Sequence, residues 1–141
     1  MPTHSLLSCV LCTKTYPLDD DRIACDCAGL LEVRHDFSHI ISGGFGQYLR
    51  LLFSSRRQRP SGAADRSGVW RFRDLVLPGL DESDFVTRGE GNTRLYRDFR
   101  RTDAFTGCRA AYKHEGENPT GSFKDRGMTV AVSWAKKRGA K

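Results

Sequence analysis

Lys113-His114-Glu115-Gly116-Glu117-Asn118-Pro119-Thr120-Gly121-Ser122-Phe123-Lys124-Asp125-Arg126-Gly127-Met128 is a turn that runs into a helix, with a lysine at the helix's first turn. Glu117 to Gly121 concentrates turn-forming residues, including proline and glycine. Ser122 followed by Asp125 has the form of a capping box, in which the hydroxyl caps an early N–H and the acid reaches back. Met128, Val130, Ala131, Val132, Trp134 and Ala135 cover most of a helical circumference, which predicts burial on more than one side. Lys136, Lys137 and Arg138 suit the last turn, and Gly139 suits the position beyond it.

Lys124 therefore sits at the end of a helix that favours anions and disfavours an ammonium. Arg126 adds to that effect and Asp125 opposes it. A neutral amine is the form that adds to an aldehyde. On these residues alone, a reactive amine and a solvated lysine tolerated by the helix both stand.

Upstream, residues 85–141 read as the opening of an α/β domain. Phe85-Val86-Thr87 predicts a strand, Gly89-Glu90-Gly91-Asn92 a turn, Leu95-Tyr96 a return strand, and Arg109 to His114 another strand. Residues 35–84 read as an irregular, arginine-rich linker and anchor segment. Within it, Tyr48, Leu49, Leu51, Leu52 and Phe53 predict a short amphipathic helix, and Ser54 to Gly62 an exposed loop. Trp70, Phe72, Leu75 and Leu77 form a second anchor ending at Pro78-Gly79. Residues 1–34 hold a turn-rich connection, Tyr16 to Asp21, and a short strand, Leu30-Leu31-Glu32-Val33.

Four of the five cysteines form two tight pairs, Cys9 with Cys12 and Cys25 with Cys27. No secretory signal pattern precedes them, so metal ligation is the expectation rather than a disulfide framework. Tetrahedral thiolate ligation of a structural zinc would join the two loops. The first pair has knuckle spacing, whereas a single residue separates the second pair, which strains ligation. His35 or His39 is an alternative ligand, and a relic site that no longer binds metal is the competing reading. Cys108 reads as an ordinary buried thiol.

The chain's 38% hydrophobic and 28% charged residues are ordinary for a globular protein. No apolar run approaches the roughly 18 residues of a membrane span, and a cytoplasmic protein is expected. A formal charge of +6 fits an anionic partner, either a phosphorylated metabolite or nucleic acid, as well as a merely solvated surface. Cysteine pairs beside Arg56-Arg57-Gln58-Arg59 make a nucleic-acid-binding zinc ribbon the rival reading. Against it, aromatics are not interleaved with the basic run as a stacking surface requires.

The run from Lys113 to Met128 resembles the cofactor-lysine segment of the threonine synthases, pyridoxal 5'-phosphate (PLP) enzymes of the same fold type II as the tryptophan synthase β subunit. Gly89-Glu90-Gly91-Asn92-Thr93-Arg94-Leu95 resembles the family's other early motif, with Arg94 where proline usually stands. The cysteine-paired segment running into Leu30-Leu31-Glu32-Val33 and His35-Asp36 is similar to the front of many bacterial and archaeal members. Serine and threonine dehydratases share a shorter version of the lysine motif, and cysteate synthase is a close paralogue.

The resemblance implies an α/β fold that begins a PLP fold type II domain, preceded by a zinc-ribbon-like segment. It implies that Lys124 carries PLP covalently, that Phe123 packs near the cofactor ring, and that Asn118 to Ser122 present the lysine. Asn92, Thr93 and Ser122 are the implied substrate-binding residues. The implied reaction converts O-phosphohomoserine and water to threonine and phosphate. In the family, the asparagine at the PLP ring hydroxyl and the glycine-rich phosphate loop follow the lysine segment. A fragment inactive by itself is therefore expected. The sequence is silent on oligomeric state.

Overall fold

Strand β1, Ser5–Cys9, is flanked by two antiparallel neighbours, β2 at Thr15–Pro17 and β3 at Leu31–His35. Leu7 lies opposite Tyr16 on one side and Val33 on the other. β2 falls where only a connection was expected, because three residues are too few to display an alternating pattern. β3 starts one residue into the predicted Leu30–Val33 strand and runs on to His35. The computed structural model describes residues 5–37, 44–97 and 99–140. It is mixed α/β and divides into two compact units, Met1–Leu51 with Arg73–Leu80 and Leu52–Phe72 with Asp81–Lys141. In the first unit Ser8, Cys9, Cys25, Leu77 and Leu80 are buried.

Helix α1, Phe45–Gln58, includes the predicted amphipathic stretch but continues through Ser54–Gln58, where a loop was expected. Arg56 and Arg57 occupy its last turn, the end at which the macrodipole favours cations. An arginine run reads as a solvated loop in sequence, yet it serves equally as a helix terminus. Two short helices follow, α2 at Ala63–Arg66 and α3 at Arg73–Val76. Trp70 and Leu77, expected in one anchor, are buried in different units.

The core of the second unit is organised on Trp70, which has no exposed surface. Its ring stacks on Phe85 at 4.2 Å between centroids. Its indole N–H donates to Thr129 Oγ1 at 2.9 Å and to the Val86 carbonyl at 3.3 Å. Ser133 Oγ accepts the Val86 N–H at 2.8 Å, and the Thr129 hydroxyl donates to the Val86 carbonyl. Phe85-Val86-Thr87 is thus extended, but its Val86 backbone is satisfied by helix hydroxyls and not by a neighbouring strand. That corrects the predicted strand.

Those hydroxyls belong to helix α5, Asp125–Lys137, which closes as predicted with Lys136 and Lys137 in its last turn. Gly139, at positive φ, donates to the Lys136 carbonyl. The expectation of apolar burial on several sides is not met. The buried residues are polar, Thr129 and Ser133, while Met128 and Val132 are 55% and 43% exposed.

β4, Leu95–Tyr96, pairs antiparallel with β5, Tyr112–Lys113, so the predicted 109–114 strand shrinks to two residues. An unanticipated helix, α4 at Phe99–Thr106, lies between them. Cys108 follows it and is exposed, not buried as expected. Gly68 presses against the Gly91–Asn92 backbone so closely that a Cβ there would lie 2.2 Å from the Asn92 nitrogen. Only glycine fits this approach. Among the described residues, no helix is long and apolar enough to cross a membrane.

Candidate active-site turn and cysteine cluster

The turn before α5 is fixed from both ends. Asn118 is buried; its Oδ1 accepts the Gly91 N–H at 2.8 Å and its Nδ2 donates to the Glu115 carbonyl and carboxylate. Arg126 grips Glu115 through two bonds of 2.7 and 3.0 Å and also reaches Thr93 Oγ1. The Thr93 hydroxyl donates to Glu115 at 2.8 Å. The Arg126 guanidinium, followed by the Thr93 hydroxyl, draws the Glu115 carboxyl down to about 2.

The capping box is half formed. Ser122 Oγ accepts the Lys124 N–H at 3.2 Å, as a cap would. Asp125 reaches back to Thr120 instead, accepting its N–H at 2.8 Å and its hydroxyl at 2.5 Å. The carboxylate thereby braces the loop ahead of the helix rather than the Ser122 N–H.

Lys124 is the residue immediately before α5, and it is exposed. Among the described residues its amine makes no hydrogen bond or ion pair. Its neighbour Phe123 is 65% exposed, and Ser122 is half-buried. Asn92, at a positive φ of 55°, uses its side chain on the scaffold: Oδ1 accepts from Arg71 and Nδ2 donates to the Arg66 carbonyl, both at 2.7 Å. Thr93 is buried within the Glu115–Arg126 network, and its carbonyl accepts from the Lys113 ammonium. The fold thus brings Thr93 together with Glu115 and Arg126, and none of these bonds includes Lys124 or Ser122.

Sequence reading missed Glu90, a buried carboxylate between two glycines. Burial raises its pKa, but bonds from the Ser67 hydroxyl, the Arg88 N–H, its own N–H and Thr87 outweigh burial, and it lies below the ordinary carboxylate range. A Glu flanked by glycines signals only a turn. Its chief partner, Ser67, lies 23 positions away.

In the first unit the sulfurs of Cys9, Cys12, Cys25 and Cys27 all lie within 4.8 Å of one another. Cys9 and Cys27 are 3.6 Å apart, and Cys12 and Cys25 are 3.4 Å apart. Tetrahedral zinc with Zn–S bonds of about 2.3 Å needs sulfurs about 3.8 Å apart, so the donor set fits such an ion. The single-residue spacing of the second pair does not prevent convergence. Thr13 and Ala28, each following the second cysteine of its pair, take positive φ values of 61° and 63° and reverse the chain.

Backbone N–H groups point at the sulfurs: Leu11 donates to Cys9 at 3.4 Å. The Cys27 N–H, followed by the Tyr16 hydroxyl 3.0 Å away, lowers Cys25 to about 6. The Lys14 N–H draws Cys12 down, but the bonds with Cys25 and Cys27 outweigh it and push Cys12 up to about 12. His35 takes no part; its Nδ1 shares a 2.8 Å hydrogen bond with Ser5 Oγ. His39 lies outside the described residues.

No protein-family model matches the chain. It is 41% identical over 135 residues to the threonine synthase of Methanocaldococcus jannaschii, covering 95% of this chain and 30% of that protein. It is 38% identical over 130 residues to the threonine synthase of Methanosarcina acetivorans, covering 92% of this chain and 28% of that protein. It is 37% identical over 122 residues to threonine synthase 2, chloroplastic, of Arabidopsis thaliana, covering 86% and 23%. The chain therefore spans less than a third of the length of these relatives. Over nearly the whole of its own length, this chain is related in sequence to the threonine synthases.

Proposed function

We propose that this chain is part of a threonine synthase, a PLP-dependent lyase that converts O-phosphohomoserine and water to threonine and phosphate in the cytoplasm. The observation that carries the reading is an exposed, unengaged Lys124 amine held at the start of α5 by a turn that is itself tightly braced. Phe123, exposed beside it, and Met128, exposed one turn on, leave apolar surface around that amine for a cofactor ring. PLP attached there supplies an electron sink for charge developed on the substrate carbons. Once the incoming substrate amine has displaced it from the cofactor, Lys124 Nζ would carry protons to and from those carbons. Ser122, Asn92 and Thr93 orient the substrate, the last two through the backbone of the turn that their scaffold-bonded side chains hold in place. Residues 85–141 belong to the catalytic domain, with 35–84 as an anchoring segment.

In the same proposal, Cys9, Cys12, Cys25 and Cys27 hold a structural zinc in segment 1–34. Four thiolates around one divalent ion leave an excess of negative charge. Lys14 and Arg22, both paired with Asp26 close to the cluster, place cations nearby.

The decisive experiment transplants residues 5–140 into the matching segment of the M. jannaschii threonine synthase. Phosphate release from O-phosphohomoserine and visible absorbance of bound cofactor are expected, and both are lost in Lys124→Ala while the circular dichroism is unchanged. Turnover that survives Lys124→Ala would overturn the reading. The 141-residue chain alone is expected to release no phosphate, since it spans only 30% of that relative.

A further inference from the structure

The direction in which each backbone group of the three-stranded sheet points can be read from its ladder. The Cys9 N–H donates to the Lys14 carbonyl at 2.9 Å, and the Val10 N–H donates to the Leu30 carbonyl at 3.1 Å. Along β1, odd-numbered N–H groups therefore face β2 and even-numbered ones face β3. The β1–β3 register runs unbroken from Ser5 opposite His35 to Cys9 opposite Leu31, so Glu32 and Arg34 turn their backbone groups to β1. The N–H and C=O groups of Leu31, Val33 and His35 point outward, and among the described residues they have no hydrogen-bond partner. The opposite edge is blunted: β2 has three residues, and Pro17 occupies one of its outward positions. β3 has neither proline nor bulge, and its Glu32, Val33 and Arg34 are exposed.

We propose that β3 pairs antiparallel with β3 of a second copy of this chain, about a two-fold axis at Val33. The outward groups dictate the pairing: Val33 exchanges two hydrogen bonds with the partner's Val33, and Leu31 does so with the partner's His35. Charge selects this register over its neighbours. Glu32 and Arg34 share the face of the strand away from the Val33 side chain, and Arg34 Nε lies 2.9 Å from Glu32 Oε1. With the axis at Val33, each Glu32 lies opposite the partner's Arg34, and four charges alternate in sign around the axis. An axis one residue to either side sets Glu32 against the partner's Glu32, or Arg34 against the partner's Arg34, and like charges directly opposite are destabilising. Axes further out overlap fewer residues of the strand. The two-fold contact consumes both open edges and leaves only the blunted β2 edges, so assembly stops at the dimer. β3 does not contain Lys124, and the pairing does not depend on the proposed catalytic role.

Sedimentation velocity of the 141-residue chain over a concentration series tests this. An edge-to-edge contact of two short strands is a small interface, so the expected dimer is reversible, grows with concentration and weakens as salt rises. Val33→Pro removes an outward N–H but no bond to β1, and should abolish the dimer with little change in melting temperature. Glu32→Arg and Arg34→Glu should each weaken the dimer about tenfold or more, because like charges then lie opposite one another. Mixed together, these two variants should associate as a heterodimer, since each meets its complement. The double swap, Glu32→Arg with Arg34→Glu, should dimerise like the parent chain. A parent chain that stays monomeric up to about 1 mM, a dimer that survives Val33→Pro, single swaps without effect, or swapped variants that fail to associate on mixing would each overturn the proposal.

Discussion

Asn118 Oδ1 accepts the Gly91 N–H at 2.8 Å, joining the lysine turn to the Gly89–Thr93 turn across 27 positions. The same side chain holds the Glu115 carbonyl and carboxylate through Nδ2. One buried amide therefore sets the distance between the two sequence motifs.

Asn118→Ala should cost about 1–3 kcal/mol, because it removes these bonds and leaves the Gly91 N–H without its partner. Asn118→Asp should be no better. It keeps an acceptor for Gly91 but turns a second oxygen toward Glu115. Urea unfolding of the two variants beside the parent chain measures both effects.

The Glu115 carboxyl is held at about 2, below its ordinary 4.5, by Arg126 and then Thr93. A depressed carboxylate stabilises the fold fully above its unfolded pKa, and that contribution fades as pH falls toward the folded value. Stability should therefore decline between about pH 4.5 and pH 2. Glu115→Gln should be less stable at neutral pH and show a shallower decline across that window. Parallel slopes for the two proteins would contradict the assignment.

The cysteine cluster should take up one zinc per chain, and cobalt in its place should give the intense visible bands of tetrahedral thiolate ligation. Cys12→Ser should abolish them. Gly29→Ala is the sharper test, since its new methyl would lie 2.7 Å from the Cys9 sulfur. Weaker metal retention against a chelator is expected, although no ligand has changed.

Thr129→Val should destabilise the second unit by about 1–3 kcal/mol. It removes the nearer acceptor of the Trp70 indole and one donor to the Val86 carbonyl. Ser133→Ala acts on the same segment by removing the acceptor of the Val86 N–H. The two substitutions should be non-additive in a double-mutant cycle.

Helix α5 was legible because the turn ahead of it, its Ser122 cap and its terminal charges agreed, although the face it buries was not. The cysteine quartet was legible from its two tight pairs, although the one-residue spacing of the second pair counted against the convergence that the fold achieves. What escaped was set by partners distant in the chain. Val86 lies in an extended segment whose hydrogen bonds come from residues 43 and 47 positions later. Residues 54–58 look like a solvated loop, yet their arginines complete a helix. The role of Asn92 was half visible. Its turn could be read from the flanking glycines, but its bonds to Arg66 and Arg71 depend on the close approach of Gly68.

The polar character of the second unit's interior bears on its thermodynamics. Among the described residues of this unit, those buried around Trp70 are Asp65, Ser67, Glu90, Thr93, Asn118, Thr129 and Ser133, with Val69 as the other apolar member. Exposing apolar surface raises the heat capacity of unfolding and exposing polar surface lowers it. This unit should therefore unfold with a smaller heat-capacity increment per residue than the usual value of about 12–15 cal/mol/K. Its stability curve would be correspondingly flat, losing little on cooling where a hydrocarbon core would weaken.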